Sequence, residues 1–312
     1  MKLAMVFPGQ GSQAVGMLKD FAATEPVREV FAAAAAVLDQ DLWQLVSTGP
    51  AEELNSTVNT QPVMLAASYA VYRAWRAAGG IPPAVVAGHS LGEYTALVVA
   101  GALEFRDALP LVRFRAQAMQ EAVPAGMGAM AAILGLDDEA VRSACAEAAQ
   151  GEIVEAVNFN APGQVVIAGH KAAVERAIAA AKAKGARRAV ILPVSAPFHS
   201  SLLEPAAARL GVRLAEVDFS PSQIPVINNV DIAILDQPQA IRDALARQAC
   251  HPVRWVETIR QMAQMGVTHV IECGPGKVLS ALTGRIDGKL HSIALTDPAS
   301  LVQSIQNLKQ AA

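Results

Sequence analysis

The sequence contains few cysteine residues, and their positions exclude two common uses of cysteine. Only Cys145, Cys250 and Cys273 are present among 312 residues, and each lies far from the others. This spacing supplies neither the framework of a disulfide-stabilised secreted protein nor the paired ligands of a zinc site. We therefore expect a protein of a reducing compartment, with the cytoplasm as its location, and we expect no bound metal.

A long apolar run and an excess of basic residues are also lacking. The first apolar stretch, residues 3–7, is too short for a signal-peptide core, and no run approaches the roughly 20 apolar residues of a membrane span. Lysine and arginine total 25 against 28 aspartate and glutamate residues, which gives a net charge of −3. The sequence therefore predicts neither nucleic acid as the main ligand nor a membrane as a partner.

Aromatic residues are rare, at 4%, yet 53% of the residues are hydrophobic and only 17% are charged. This composition is sufficient for a large buried core and argues against disorder. Short apolar stretches typical of strands alternate with longer stretches typical of helices. The alternation predicts an α/β fold with a mostly parallel sheet covered on both faces. The predicted strands of this sheet are 2–7, 84–87, 225–230, 268–272 and 291–295, and a long helix is predicted at 63–78.

The pattern changes after a glycine-rich break at residues 124–128. The residues that follow predict strand, helix, strand, strand, helix and strand, with a turn at 158–163 between the two middle strands. That order is the βαββαβ unit of ferredoxin-like domains. We therefore predict an inserted small subdomain at 126–196 and a discontinuous large domain formed by residues 1–125 and 197–312.

One short motif points to chemistry. An apolar stretch ends in Gly88-His89-Ser90-Leu91-Gly92, and a second apolar stretch begins directly afterwards. We interpret this as strand, sharp turn and helix, with the two glycines where Cβ atoms would collide. Ser90 then stands at the apex, beside backbone N–H groups of a helix N-terminus that favour an anion. Acyl transfer needs such a serine and such donors, although an ordinary glycine-rich turn with an exposed serine is the alternative.

A serine nucleophile needs a general base, and six histidines are available. His199 is the best candidate because it lies in a loop where the chain re-enters the large domain, and loops concentrate catalytic groups. His89 is expected to point away from the turn in another direction, and His269 is expected in the core of a strand. No aspartate is placed to orient the base, so its partner can be any acceptor, including a backbone carbonyl.

Two arginines lie close together on a helix predicted at 104–119. Arg113 and Arg115 point about 200° away from each other, because a helix has 3.6 residues per turn. At most one of them can therefore face a given pocket. A solvated surface position is the alternative interpretation for either side chain.

These motifs together resemble those of the malonyl-CoA:acyl carrier protein transacylase family, the acyltransferases of dissociated fatty acid synthesis. The resemblance runs nearly end to end and depends on the joint occurrence of several motifs in one order. They are FPGQGSQ at 7–13, TQP at 60–62, GHSLGEY at 88–94, Arg115 with MQE at 119–121, NFNAPGQ at 158–164, PFH at 197–199, NNV at 228–230 and GPG at 274–276. The family's core is similar to that of α/β-hydrolases and carries a ferredoxin-like subdomain, which agrees with the pattern above.

The resemblance implies a role for each matching residue of the catalytic apparatus. Ser90 would be the acylated nucleophile and His199 its general base. The backbone carbonyl of Gln248 would hold the imidazole. The backbone N–H groups of Gln10 and Leu91 would form the oxyanion hole.

The resemblance also implies how the acyl group is selected. Arg115, and not Arg113, would bind the substrate carboxylate, because a planar guanidinium forms two parallel hydrogen bonds that lysine cannot. His89 would line the site as a secondary contact. Phe198 would narrow the pocket where a 2-methyl branch would lie, since relatives that use methylmalonyl usually carry a smaller residue there. The implied substrate is therefore malonyl-CoA.

The implied reaction is a ping-pong transfer of malonyl from malonyl-CoA, through Ser90, to the phosphopantetheine thiol of acyl carrier protein. No metal or redox cofactor is implied, and a monomer is expected. One rival interpretation is a hydrolase of the same fold, which would not need Arg115. The other is a carrier-binding module without catalysis, which would lack the nucleophile or the base.

Carrier proteins of this kind are acidic, so the resemblance implies a basic docking patch despite the negative net charge. One candidate is a cluster of four cations on the small subdomain: Lys182, Lys184, Arg187 and Arg188. A plain solvated face is the alternative interpretation for these four side chains.

Overall fold

The computed structural model describes residues 1–310 of the chain. Within them the backbone forms nine strands, thirteen α-helices and two short 3-10 turns. The strands are β1 (Leu3–Phe7), β2 (Val85–Gly88), β3 (Gly128–Leu134), β4 (Val154–Ala161), β5 (Gln164–His170), β6 (Arg188–Ile191), β7 (Val226–Ile227), β8 (His269–Glu272) and β9 (His291–Ala294). The helices are α1 (Glu25–Leu38), α2 (Leu42–Thr48), α3 (Ala51–Asn55), α4 (Thr57–Ala77), α5 (Gly92–Val99), α6 (Phe105–Glu121), α7 (Asp138–Ala149), α8 (Lys171–Ala183), α9 (Glu204–Ala215), α10 (Pro238–Gln248), α11 (Trp255–Gln264), α12 (Val278–Ile286) and α13 (Pro298–Gln310).

The large sheet has five strands, all parallel, in the order β7-β2-β1-β8-β9. Successive side chains of β1 point to opposite faces of the sheet. Met5 and Phe7 join an apolar cluster with residues of α4 and α6. Ala4 and Val6 point the other way and join a second cluster with residues of α11. Both faces of the sheet are therefore buried, and the predicted α/β class is confirmed.

A separate antiparallel sheet of four strands lies between Gly128 and Ile191, in the order β4-β5-β3-β6. Helices α7 and α8 cover one face, where Val141 and Val174 lie in one apolar cluster with Ile133 of β3. The strand order and the helical connections are those of the predicted βαββαβ unit. The opposite face of this sheet is turned toward the large domain and contributes to the cavity described below.

Strand β4 is longer than predicted and joins the small sheet to the large domain. The sequence predicts a turn at 158–163, but β4 continues to Ala161. The large domain stabilises the extension, because the N–H of Val253 donates to Val157 O at 2.9 Å and the N–H of Phe159 donates to Val253 O at 3.0 Å. Because β4 is hydrogen-bonded both to the small sheet and to the large domain, the hydrogen bonds do not mark one boundary, and the limits 126–196 of the small subdomain stay a prediction.

Helix α4 begins at Thr57, earlier than the predicted residue 63, and Pro62 lies inside it. The polar sequence around its first turn is typical of a loop. In the structure, however, Thr60 and Gln61 are buried. The Thr60 hydroxyl donates to main-chain carbonyls just before the helix, and the Gln61 amide donates to Thr57 and accepts from Arg115. With 21 residues α4 is the longest helix of residues 1–310, and none of the helices there is both long and apolar enough to cross a membrane.

The expectation that His269 lies in the core is wrong. His269 is the first residue of β8, and it pairs with His291, the first residue of β9. The side chain is half-buried, and its ring stacks on His291 with the centroids 4.9 Å apart. A strand's first residue lacks the cover that its middle residues have, which the apolar sequence around His269 does not reveal.

Candidate active site

The turn that carries Ser90 has a strained backbone that two close approaches impose. Strand β2 ends at Gly88, α5 begins at Gly92, and Ser90 between them has a φ of +53°. A Cβ on Gly88 would lie 1.8 Å from the carbonyl carbon of Gly92, and a Cβ on Gly92 would lie 2.0 Å from Phe7 O. Only glycine fits at these two positions, so the predicted strand, turn and helix follow from the motif itself.

His199 lies directly against this serine, although 109 residues separate the two in the chain. The Ser90 Oγ to His199 Nε2 distance is 2.7 Å, and His199 Nδ1 lies 2.8 Å from the main-chain oxygen of Gln248. A carbonyl only accepts, so Nδ1–H donates to it and Nε2 is left to accept from the serine hydroxyl. This tautomer is the one a general base requires.

His199 is only 3% exposed, and its backbone has a φ of +66°. Burial, followed by the positive charge of Arg115, lowers the pKa of His199 to about 3, and the hydrogen bond to Gln248 opposes this in part. The ring is therefore neutral at pH 7 and ready to take a proton. A positive φ is unfavourable for a residue with a side chain, so the surrounding structure must hold His199 in this conformation.

Arg115 is the only arginine that reaches the serine within residues 1–310, and it is 2% exposed. Its guanidinium donates to Gln61 Oε1 at 2.8 Å, to Gln248 Oε1 at 3.0 Å and to Ser90 Oγ at 3.1 Å. All three acceptors are neutral, and no carboxylate of residues 1–310 forms an ion pair with it. A buried cation normally has an anionic partner, so this position is suited to the carboxylate of a ligand.

Arg113 lies on the opposite side of the same helix. Its guanidinium donates to the carbonyl of Leu38 and to Gln40 Oε1, away from Ser90. The helical geometry that predicts only one arginine at the pocket is therefore confirmed. Arg113 is also not a free solvated side chain, since both of these contacts are partly buried.

Two backbone N–H groups beside Ser90 are available to an oxyanion. Within residues 1–310, neither the N–H of Gln10 nor that of Leu91 donates to a protein acceptor, and both residues line the cavity at the serine. The N–H of Ser90 itself is occupied, because Asn229 Oδ1 accepts from it at 2.8 Å. Both predicted donors are therefore free to bind a ligand oxygen, as an oxyanion hole requires.

These groups meet in a cavity of about 190 Å³ between the large domain and the small sheet. His89 lines this cavity, its Nε2–H donates to Asn160 Oδ1 at 2.8 Å, and burial lowers its pKa. An apolar wall faces the polar groups and is formed by Met130, Val166, Leu192, Val194 and Phe198. The structure therefore brings all the predicted site residues together. Gln248 does not line the cavity itself but accepts a hydrogen bond from Arg115, which does.

Comparison with known proteins assigns the chain to a family. The sequence profile of the acyl transferase domain matches residues 4–306. A malonyl CoA-acyl carrier protein transacylase of Escherichia coli K12 is 56% identical over 306 residues, which are 98% of this chain and 99% of that protein. The chain belongs to the malonyl CoA-acyl carrier protein transacylases.

Solved structures of this transacylase family share the fold. A crystal structure of the acyl-carrier-protein S-malonyltransferase from Burkholderia pseudomallei 1710b is 64% identical, with a TM-score of 0.97 over 98% of this chain and 100% of that one. A malonyl-transacylase in complex with its type II PKS acyl-carrier protein is 54% identical, with a TM-score of 0.97 and the same coverage. The α/β architecture with its small antiparallel subdomain is therefore that of the transacylases.

Asn229, Gln61 and Glu93 help to hold the reacting groups in this transacylase but are not among the predicted site residues, and Gln248 is predicted only for its main-chain carbonyl. Asn229 accepts from the N–H of Ser90 and donates to Gly88 O at 2.7 Å, so it ties two ends of the turn together. Gln61 and the amide of Gln248 hold Arg115, and Glu93 holds that amide. A usable signal was present, because all of these except Gln248 lie inside motifs that the family resemblance quotes.

Proposed function

We propose that this transacylase moves malonyl from malonyl-CoA to the phosphopantetheine thiol of acyl carrier protein, through an ester on Ser90, for fatty acid biosynthesis. The observation that carries the proposal is the buried Arg115 guanidinium beside Ser90 Oγ, without a carboxylate partner in residues 1–310. A hydrolase of uncharged esters would gain nothing from an unpaired buried charge at that place. The names of the relatives support the proposal, because they give malonyl CoA as donor and acyl carrier protein as acceptor.

In the first half-reaction, Ser90 Oγ attacks the thioester carbonyl while His199 Nε2 takes the hydroxyl proton. The N–H groups of Gln10 and Leu91 stabilise the negative charge that develops on the carbonyl oxygen. The carbon–sulfur bond then breaks, and the leaving CoA sulfur takes the proton from His199. The main-chain carbonyl of Gln248 keeps the imidazolium oriented between these two transfers.

The second half-reaction repeats these steps with the carrier thiol as nucleophile. Its proton passes to His199 Nε2, its sulfur bonds the malonyl carbonyl carbon, and the ester bond to Ser90 breaks. Ser90 Oγ recovers the proton from the imidazolium. During both halves the malonyl carboxylate is paired with the Arg115 guanidinium, an interaction that an acetyl group cannot form.

The pH dependence of the first half-reaction follows from the buried base. Because the pKa of His199 is lowered from 6.5 to about 3, we expect kcat/KM for malonyl-CoA to stay level on the acid side, down to about pH 5. At His199 the folded state binds fewer protons than the unfolded state between about pH 3 and pH 6.5, so the contribution of this residue to stability decreases as the pH falls through that range. Rates are therefore measured from about pH 5 to pH 8 and normalised to the folded fraction by circular dichroism. An acid limb near 6.5 in the normalised profile would contradict the assignment of His199 as a buried neutral base.

Phe198 and His89 are proposed as the side chains that shape the pocket around the malonyl group. Phe198 forms part of the apolar wall of the cavity, next to the base. Replacing it by alanine removes bulk where a 2-methyl branch would lie, and we expect kcat/KM for methylmalonyl-CoA relative to malonyl-CoA to rise about tenfold. Competition between the two thioesters for one holo-carrier measures the ratio directly. An unchanged ratio would remove Phe198 from the determinants of branch selection.

The carrier is proposed to reach the cavity from the side of the small subdomain. Of the four cations predicted as a docking patch, Lys184 is paired with Glu147 at 2.6 Å, whereas Lys182, Arg187 and Arg188 form no ion pair within residues 1–310. The docking patch therefore stays a prediction that rests on three cations. We propose in addition a monomer in the cytoplasm, which light scattering of the purified protein and cell fractionation would test.

An acyl-CoA panel tests the proposed function against its rivals. Malonyl-CoA, methylmalonyl-CoA and acetyl-CoA are each incubated with the protein, with and without holo-carrier, and free acid and acyl-carrier are quantified. We expect malonyl to accumulate on the carrier thiol and little free malonate to appear. Rapid release of malonate without transfer would indicate the hydrolase, and binding of the carrier without turnover would indicate the non-catalytic module.

A further inference from the structure

Glu93 is a buried carboxyl group beside the site that the proposed chemistry does not use. It lies in the first turn of α5, just after the Ser90 turn, and is 3% exposed. A single oxygen, Oε2, accepts two hydrogen bonds: from Gln248 Nε2 at 2.8 Å and from the N–H of Asn229 at 3.0 Å. Both donors belong to residues that contact the reacting groups, so the hydrogen bonds of Glu93 reach the site through these two residues.

The bond to Gln248 determines which way its side-chain amide faces. Gln248 Nε2 donates to Glu93 Oε2 and, at 3.0 Å, to the main-chain oxygen of Ser90. With the amine end fixed by two acceptors, the amide oxygen must face the guanidinium of Arg115, from which it accepts at 3.0 Å. The reversed amide would place N–H donors against a guanidinium that has only donors.

We propose that Glu93 is a positioning residue for acyl-group selection, because it orients the Gln248 amide and thereby holds Arg115 where the malonyl carboxylate binds. This inference rests on the proposed function. Through Asn229, which bonds both Ser90 N–H and Gly88 O, the same oxygen also links the arginine to the serine turn. One side chain, Glu93, therefore fixes the position of Arg115 relative to Ser90.

The role of Glu93 does not depend on its charge. Burial raises the pKa of Glu93 to about 7, against the opposing effects of Gln248, Asn229 and Arg115. Both hydrogen bonds fall on Oε2, so a proton carried by Oε1 leaves them intact. Glutamine at this position can also present its single amide oxygen to both donors. The hydrogen bonds, and not the net charge, are therefore what a variant must remove.

The test compares Glu93→Leu with Glu93→Gln in transfer to holo-carrier. We expect Glu93→Leu to lower the ratio of kcat/KM for malonyl-CoA to that for acetyl-CoA about tenfold. This is the effect expected when the Arg115 guanidinium loses the fixed amide oxygen of Gln248 as its acceptor. Glu93→Gln should keep the ratio within about twofold of the wild type, because both bonds survive. The matched control is Glu272→Leu, which removes another buried carboxyl, one that caps α12 at Leu279 and Ser280, and should leave the ratio unchanged.

A double-mutant cycle separates positioning from general destabilisation. Gln248→Met removes the amide but keeps the main-chain carbonyl that holds His199, so it should lower the same ratio. If Glu93 acts through Gln248, the double variant loses no more than Gln248→Met alone. Losses that multiply, or an unchanged ratio in folded Glu93→Leu, would overturn the inference. Should Glu93→Leu fail to fold, Glu93→Asp, whose carboxylate is one methylene short of Gln248, takes its place with the same expectation.

Failure of this inference is distinguishable from failure of the proposed function. If the wild-type protein transfers malonyl to the carrier and Glu93→Leu retains the wild-type ratio, only the role of Glu93 is rejected. If the wild-type protein transfers no malonyl at all, both are rejected.

Discussion

The Ser90→Ala variant is expected to form no malonyl ester and to lose malonyl transfer by about four orders of magnitude or more. The loss is this large because, within residues 1–310, Ser90 Oγ is the hydroxyl oxygen that lies 2.7 Å from the base and beside the two free N–H groups. Water that enters the space of the missing hydroxyl cannot carry the acyl group to a second acceptor. Intact-mass analysis after incubation with malonyl-CoA measures the ester, and a carrier-acylation assay measures the transfer.

A second serine provides the control for this variant. Ser68 in α4 is also buried, and its hydroxyl has no hydrogen-bond partner within residues 1–310. Ser68→Ala removes the same atom from the core without touching the site, so its ester formation should match that of the wild type. An undiminished ester in Ser90→Ala would place the nucleophile on another residue and contradict the mechanism.

The Arg115→Ala variant is expected to lower kcat/KM for malonyl-CoA by about two to three orders of magnitude, whereas acetyl transfer is kept or raised. The malonyl carboxylate would enter a buried site with no cation, where the amide oxygens of Gln61 and Gln248 that accept from Arg115 offer it no donor. Acetyl has no carboxylate to lose, and removal of a buried charge makes the cavity more favourable for it. The kcat/KM of Arg115→Lys for malonyl-CoA should lie between those of the wild type and Arg115→Ala, because an ammonium keeps the charge but not the paired N–H geometry.

The neighbouring arginine is the matched control for the clamp. Arg113→Ala removes the same side chain two residues earlier on α6, but its contacts are with Leu38 and Gln40 on the far side of the helix. The ratio of malonyl to acetyl transfer should therefore remain that of the wild type. A wild-type ratio in Arg115→Ala would refute the clamp, and a collapsed ratio in Arg113→Ala would show that the effect is not specific to the pocket.

The local parts of the site could be predicted from the sequence, because the constraint and the residue are neighbours in the chain. Gly88 and Gly92 admit no Cβ, so the motif by itself dictates the turn that presents Ser90. The separation of Arg113 and Arg115 by two residues also fixes their divergence on any helix. It does not decide which of them faces the pocket, and the family resemblance was needed to choose Arg115.

The supporting contacts could not be predicted, because they join distant parts of the chain. Gln248 is 155 residues from Glu93 and 133 from Arg115, and each of these contacts exists only once the helices have packed. Polar residues at a helix end also resemble a solvated face or a loop, and for that reason the helix predicted at 63–78 leaves out the first residues of α4, Gln61 among them. The extension of β4 to Ala161 has the same origin, since its second partner is Val253 of the large domain.

A pulse–chase experiment on Ser90 tests the central claim most directly. The protein is mixed with labelled malonyl-CoA, quenched before a second turnover, digested and mapped, and a parallel sample receives holo-carrier before the quench. We predict one malonyl group on the peptide that contains Ser90, which disappears in the chase as an equal amount appears on the carrier thiol. Label on another residue, or an ester on Ser90 that decays to free malonate while the carrier stays unmodified, would contradict the account.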